Sequence, residues 1–179
     1  VDLTVRSRDG RQQHNVTVIV GHLKSKRGDE EDNAPLRLAQ AQVVADALSD
    51  LAGSGRLAVA LGDFNDDLGS ASLDAFGSFT NLYYSHLHPS QWYSYIYNGG
   101  AEALDHFIMT EALDRHYRSG ALLRINADYP DLLSPDSGGR RSSDHDPIFV
   151  RFSFIPTGIS EAARGAAVGA WGAFAAPAE

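Results

Sequence analysis

The chain reads as an α/β protein with more strand than helix, and three observations lead there. β-branched runs bounded by turn residues recur from Val1 to about residue 155, a single stretch repeats its apolar residues at helical spacing, and polar clusters stand where apolar runs end. "VDLTVRS" and "HNVTVIVGHL" flank Asp9-Gly10, a dipeptide suited to a tight turn, and predict a hairpin whose second strand ends near His22. From Asn33, a capping residue with Pro35 in the first turn, Leu36, Val43, Val44, Ala47, Leu48 and Leu51 recur at helical spacing until Gly53, which predicts a helix lying over a sheet face. "RLAVALGDFN" then reads as a buried strand that delivers polar residues at its C-terminal end. "WYSYIY", Asn98-Gly99-Gly100 and "ALDHFIMT" predict a second hairpin, and "YRSGALLRINA" and "DPIFVRFSF" two further strands. Residues 1–155 form one expected domain; 156–179, rich in Ala and Gly, read as a tail or linker.

Composition narrows the function classes. With 179 residues, 43% hydrophobic and 21% charged, the chain can bury a sizeable core. It has no cysteine, which excludes disulfides and thiolate metal sites. No apolar run approaches the roughly 18 to 20 residues of a membrane span. A net charge of -8 argues against a generally basic, nucleic-acid-coating protein, so a polyanionic ligand would have to be met by a local Arg/Lys cluster or by a metal ion.

Three polar constellations sit at the ends of predicted strands. They are His22 with Lys24, Lys26 and Arg27; Asp63 with Asn65, Asp66 and Asp67; and Asp144, His145 and Asp146 behind Arg140, Arg141, Ser142 and Ser143. A fourth piece, Asp105, stands inside the apolar strand "ALDHFI" and needs a donor or a cation if buried. His145 would serve, since a carboxylate that accepts from one imidazole nitrogen fixes the tautomer and aims the other nitrogen outward. Each piece alone also has a plain structural reading: a polar turn for "GDFND", a hydrogen-bonded strand-end histidine for His22, a solvated loop for Lys24 to Arg27. Together they suit attack of water on a phosphodiester: Asp63 to position water, Asn65 to donate to a phosphate oxygen, Asp144 as an oxygen ligand for Mg²⁺, Mn²⁺ or Ca²⁺, His145 with Asp105 as general acid or base, and His22 to hydrogen-bond the phosphate. Weaker candidates are a metal pair at His86 and His88, a Ca²⁺ loop in "GDEEDN", and base stacking by Trp92, Tyr93, Tyr95 and Tyr97. Asp146 fits an acceptor of backbone N–H groups better than a catalyst.

"GHLKSK", "LGDFND", "YSYIYNGGAEALDHFI" and "SSDHDPIFVRF", in that order, resemble the C-terminal half of the endonuclease/exonuclease/phosphatase family, most closely its large secreted bacterial nucleases. The resemblance implies part of a four-layer α/β sandwich with mostly antiparallel strands. It assigns Asp63 and Asn65 to water positioning and phosphate contact, Asp144 to the metal, His145 and His22 to catalysis, and Asp105 to orienting His145. It also implies a divalent cation, Mg²⁺ before Mn²⁺ or Ca²⁺, and secretion or a cell-surface location. The expected activity is metal-dependent hydrolysis of DNA, and of RNA as a further substrate, with Lys24, Lys26, Arg27, Arg140 and Arg141 as phosphate contacts. Alternatives within the fold are a phosphatase, a sphingomyelinase-type phosphodiesterase with an aromatic membrane anchor near Trp92, and a non-catalytic scaffold. The family's metal-binding Glu and the acid that orients the upstream His belong to an N-terminal half that the chain lacks. The chain alone is therefore expected to be nearly inactive, and to need that half or another chain to cover an exposed sheet face.

Overall fold

The structure, a computed structural model, describes residues 1–7, 11–129 and 141–154. The Asp9-Gly10 turn, Arg140 and the segment 156–179 lie outside the described residues.

A five-stranded sheet organises the molecule. Strands β1 (Asp2–Arg6), β2 (Gln13–His22) and β3 (Leu57–Asp63) lead to a short β4 (Thr80–Asn81), and β7 (Asp105–Met109) completes the order β1-β2-β3-β7-β4. Two small hairpins flank it: β5 (Tyr95–Tyr97) with β6 (Gly100–Glu102), and β8 (Tyr117–Leu122) with β9 (Ile148–Phe152). Among the described residues the β2–β3 pair is parallel and every other strand pair antiparallel, which is the mixed α/β arrangement the sequence predicts. A parallel pair needs a long crossover, and α1 (Glu30–Gly53) supplies it. Short helices α2 (Ala71–Asp74), α3 (Leu82–His86) and α4 (Glu111–Asp114) fill the other connections.

Strand alternation divides the core into two layers. Ala58, Ala60, Phe64 and Ile108 meet Ala41, Ala45 and Leu48 of α1, where small side chains let helix and sheet approach closely. On the opposite face, Val16, Val59, Phe107 and Met109 pack with Leu82, Leu113 and Leu122, and Ile148, Val150 and Phe152 of β9 lie over them. That second face runs out toward the β1 edge. Leu3 stands opposite Val16 and Val5 opposite His14, yet Val1, Leu3, Val5 and Val20 remain 81%, 49%, 38% and 70% exposed.

Two expectations about the elements are corrected. The helix begins at Glu30 rather than after Asn33: the Asp29 carboxylate accepts the Glu31 N–H as N-cap, and three acids in the first turn suit the positive end of the helix. Pro35 consequently lies inside the helix, Asn33 is buried and donates to the Arg27 carbonyl, and Glu30 pairs with Arg37. "GDEEDN" is thus the start of a helix and not a cation loop. The second hairpin is shorter than predicted. Asn98 and Gly99, at φ 48° and 82°, make a two-residue turn between β5 and β6, whereas "DHFIM" leaves the hairpin and joins β3 and β4.

Gly62 sits at φ 134°, and a Cβ there would overlap the Gly21 carbonyl oxygen of the paired strand. Gly62→Ala is expected to cost more than about 1 kcal/mol in urea denaturation, because the residue is both strained and crowded. Gly53→Ala, with nothing within 4 Å of the new Cβ, is expected to change stability by less than about 1 kcal/mol.

Candidate functional site

The sheet register sets three candidate side chains in one row. His22 pairs with Asp63 across β2–β3, and Asp63 with Asp105 across β3–β7. Asp105 is the first residue of β7, whereas His22 and Asp63 are the last of β2 and β3, so the row lies at one edge of the sheet. His22 Nε2 stands 3.5 Å from Asp63 Oδ2. Beside the row, His145 Nδ1 donates to Asp105 Oδ2 at 2.6 Å, which leaves Nε2 as the nitrogen turned away from that partner.

His145 reaches this place from the segment before β9, and a buried network holds it there. An isolated β-bridge joins it to Tyr95, whose ring lies 4.8 Å from the imidazole. Asp146, only 1% exposed, accepts the N–H groups of Ile125, Asn126 and Ala127 on Oδ1, and Arg124 donates to its Oδ2. This is the structural acceptor role its sequence context suggests. The Asn126 amide in turn donates to the His145 carbonyl at 2.7 Å. Ser94 is wholly buried: its hydroxyl accepts from Leu104 and Asp105 N–H, and its carbonyl accepts from Asp146 N–H. One serine therefore ties Asp105 to Asp146, the residue that follows His145. Sequence reasoning did not single out Ser94, Arg124 or Asn126; the position of Ser94 between two tyrosines, where alternation turns it to the opposite face, was the available signal.

The remaining candidates are placed differently. Asn65 is in the left-handed region at φ 52°, its N–H donates to Asp63 Oδ1, and its side-chain amide donates to the Leu23 carbonyl. That bond fixes the amide against the neighbouring strand end and uses one of its two N–H donors. Lys26 bridges Asp67 and Glu102 at 3.0 Å each, and Arg141 donates to the carbonyls of Ser143 and Tyr129, so both serve as clasps between loops. Lys24 and Arg27 form no ion pair among the described residues. His86 pairs with Asp114 and stacks on Tyr117, while His88 caps a 3-10 turn, so the two imidazoles do not face a common ion. Trp92 donates to the Leu87 carbonyl and packs edge-on against Tyr84. His106 turns away from the site: it is fully buried, its Nε2 donates to the Asp66 carbonyl, and burial pushes its pKa down.

The electrostatics are those of crowded acids around one imidazole. The hydrogen bond to Asp105 raises the His145 pKa, against the opposing effect of burial and with help from the Asp105, Asp63 and Asp144 charges. Burial raises that of Asp63, with Asp105 adding to it while the Asn65 N–H and the two histidines pull it down. Asp63, Asp105 and His145 each offer a ligand atom within 4.8 Å of the others, a group that could hold a metal ion, and a cation there would relieve the repulsion between the carboxylates. Asp144 is exposed and is not a member of that group.

Because His145 has a raised pKa, its pairing contributes stability that is complete below about pH 6.5 and is lost as pH rises through the folded-state value. In Asp105→Asn the NMR titration midpoint of His145 is expected to fall. The stability deficit of the variant should be larger near about pH 6 than near about pH 9. An unmoved midpoint would show that the carboxylate does not govern the imidazole.

The chain resembles the solved structures of a mannosyl-6-phosphatase from Bacteroides thetaiotaomicron VPI-5482, at 19% identity, a TM-score of 0.54 and coverage of 83% of this chain and 54% of that one. It also resembles truncated TDP2 from Caenorhabditis elegans, at 13% identity and TM-score 0.56, covering 83% of this chain and 63% of the other. A third is beta toxin from Staphylococcus aureus, at 19% identity and TM-score 0.53, covering 85% and 56%. The chain thus spans between half and two thirds of the length of these structures, and the likeness is one of fold. A comparison with curated proteins finds none that matches. The model of the endonuclease/exonuclease/phosphatase family matches residues 5–145, and the chain belongs to that family.

Proposed function

We propose that this chain supplies the acid–histidine side of a metal-dependent phosphodiesterase site, and that the substrate is a nucleic acid, DNA in the first place and RNA second. The row His22–Asp63–Asp105, closed by the 2.6 Å bond from His145 to Asp105, is the observation that carries the reading. Family members are hydrolases that generally depend on a divalent metal, and metal-dependent hydrolysis is the chemistry this cluster suits.

In this reading Asp63, with its pKa raised, orients a water molecule and accepts its proton as the oxygen–phosphorus bond forms. His145, kept protonated by Asp105, gives a proton to the leaving oxygen as its bond to phosphorus breaks. His22, 75% exposed beside Asp63, hydrogen-bonds a phosphate oxygen. A divalent cation, Mg²⁺ first, would be held by the carboxylates of Asp63 and Asp105, with Asp144 as the further ligand that the family resemblance assigns, and when bound it would neutralise charge on the phosphate. Lys24 and Arg27, which form no ion pair among the described residues, suit phosphate contact better than Lys26 and Arg141. Trp92, tied to Leu87 and Tyr84, is no free membrane anchor, which disfavours the lipid hydrolase.

The exposed residues Val1, Leu3, Val5 and Val20 continue a core face, and the matching structures are longer than this chain. We propose that a further segment of the domain covers this face and contributes the remaining site residues. No helix among the described residues is long and apolar enough to cross a membrane; secretion or a cell-surface location belongs to the same proposal.

Asp63→Ala and His145→Ala, made in the intact polypeptide, are expected to lower cleavage of plasmid DNA by about 100-fold or more with folding retained, and EDTA to abolish it. The pH profile should be bell-shaped, with its alkaline limb moving to lower pH in Asp105→Asn as the His145 pKa falls. Sphingomyelin and sugar-phosphate assays run in parallel separate the alternatives. Full activity in Asp63→Ala would sink the assignment.

A further inference from the structure

We propose that Tyr95 and Tyr97 form a stacking platform beside His145 that receives an unpaired base of a single-stranded nucleic acid, next to the phosphate to be cleaved. The proposal rests on the phosphodiesterase reading and names its substrate class.

Tyr95 and Tyr97 occupy alternate positions of β5 and so share a face. Their rings lie 6.3 Å apart at 14°, and the Tyr95 ring lies 4.8 Å from that of His145 at 31°. The three rings make a stair that starts at the imidazole and ends in Tyr97, which is 58% exposed. The stair is rigid, because β5 is hydrogen-bonded to β6 and Tyr95 is bridged by its backbone to His145 itself. A group seated on the platform is thereby held in register with the imidazole.

The neighbouring aromatics are closed to such a role. The Tyr93 ring is covered by the Arg124 guanidinium at 3.4 Å and its hydroxyl donates to Asp128, and Trp92 is bound to Leu87 and Tyr84. Tyr95 and Tyr97 make no hydrogen bond through their hydroxyls among the described residues. The acid directly across the hairpin from Tyr95 is Glu102, and Lys26 neutralises it at 3.0 Å, which lessens the repulsion a phosphate would meet there. An open ring face is matched by a base that is free of its own stack, as in a single strand; bases of a duplex have their faces already covered.

The test measures binding of a short single-stranded oligonucleotide containing a fluorescent purine analogue to the full chain, in EDTA so that no turnover occurs. Saturable quenching is expected with the unaltered chain, roughly 5- to 100-fold weaker binding with Tyr97→Ala, and retained binding with Tyr97→Phe, since the ring and not the hydroxyl does the stacking. An oligonucleotide abasic at the probed position should bind the unaltered chain as weakly as the intact one binds Tyr97→Ala. Circular dichroism establishes that the variants are folded. Equal affinity of Tyr97→Ala and the unaltered chain overturns the proposal, as does a Tyr97→Ala defect confined to a hexose phosphate. Binding is read without cleavage, so an absence of cleavage in Mg²⁺ by the intact polypeptide would count against the phosphodiesterase reading while leaving the platform measurable on this chain.

Discussion

The parallel contact between β2 and β3 is the constraint on which the site depends. Parallel strands place equivalent ends together, so His22 and Asp63 arrive side by side only because α1 carries the chain back to the starting edge of the sheet. The contact is close enough that Gly21 and Gly62 face each other immediately before those two residues, with no room for a Cβ at Gly62. Asp105 then needs only the antiparallel partner β7 to enter the same row. A buried arginine secures the crossover: Arg37 of α1, 1% exposed, binds the exposed Glu30 at the start of the helix and Asp66 in the loop after Asp63. The loop that follows the row is thus fixed to the helix that created it.

The arrangement separates two kinds of polar group. Facing the core, His106 is bonded through Nε2 to the Asp66 carbonyl and Thr110 bridges Arg56 and Ala58. Those in the row keep charges partly exposed and close together, and burial, with the Asp105 charge adding to it, raises Asp63 above the usual carboxylate value. Such crowding is costly to a fold that only needs to be stable, and it is the usual mark of a site prepared for a cation or a proton transfer.

Much of this was legible in the sequence, because the informative signals are local. β-branched alternation and Asn98-Gly99 mark strands and a turn, and "LGDFND" and "SSDHDP" mark strand ends with acids. Asp105 in an apolar strand announces a missing partner, and His145 stands at its side. Less legible were features settled by tertiary pairing. "DHFIM" is equally suited to a hairpin or to a sheet, and the register with β3 decides it. Lys26 reads as a phosphate-facing cation until Asp67 and Glu102, distant in sequence, meet it. The left-handed backbone of Asn65 and the anchoring of its amide to Leu23 likewise depend on the neighbouring strand. The acids of "GDEEDN" read as a loop because Pro35 and Asn33 imitate a later helix start.

Asp146 divides the support of the site between two kinds of force. Row and core share the strands β2, β3 and β7, so the acids are placed by the same hydrophobic layers that hold the sheet. His145 is placed instead by buried hydrogen bonds: Asp146 gathers Arg124 and the N–H groups of Ile125, Asn126 and Ala127, Asn126 holds the His145 carbonyl, and Ser94 accepts from Asp146. Strand register thus aims the acids, and the direction of a few buried hydrogen bonds aims the imidazole at them.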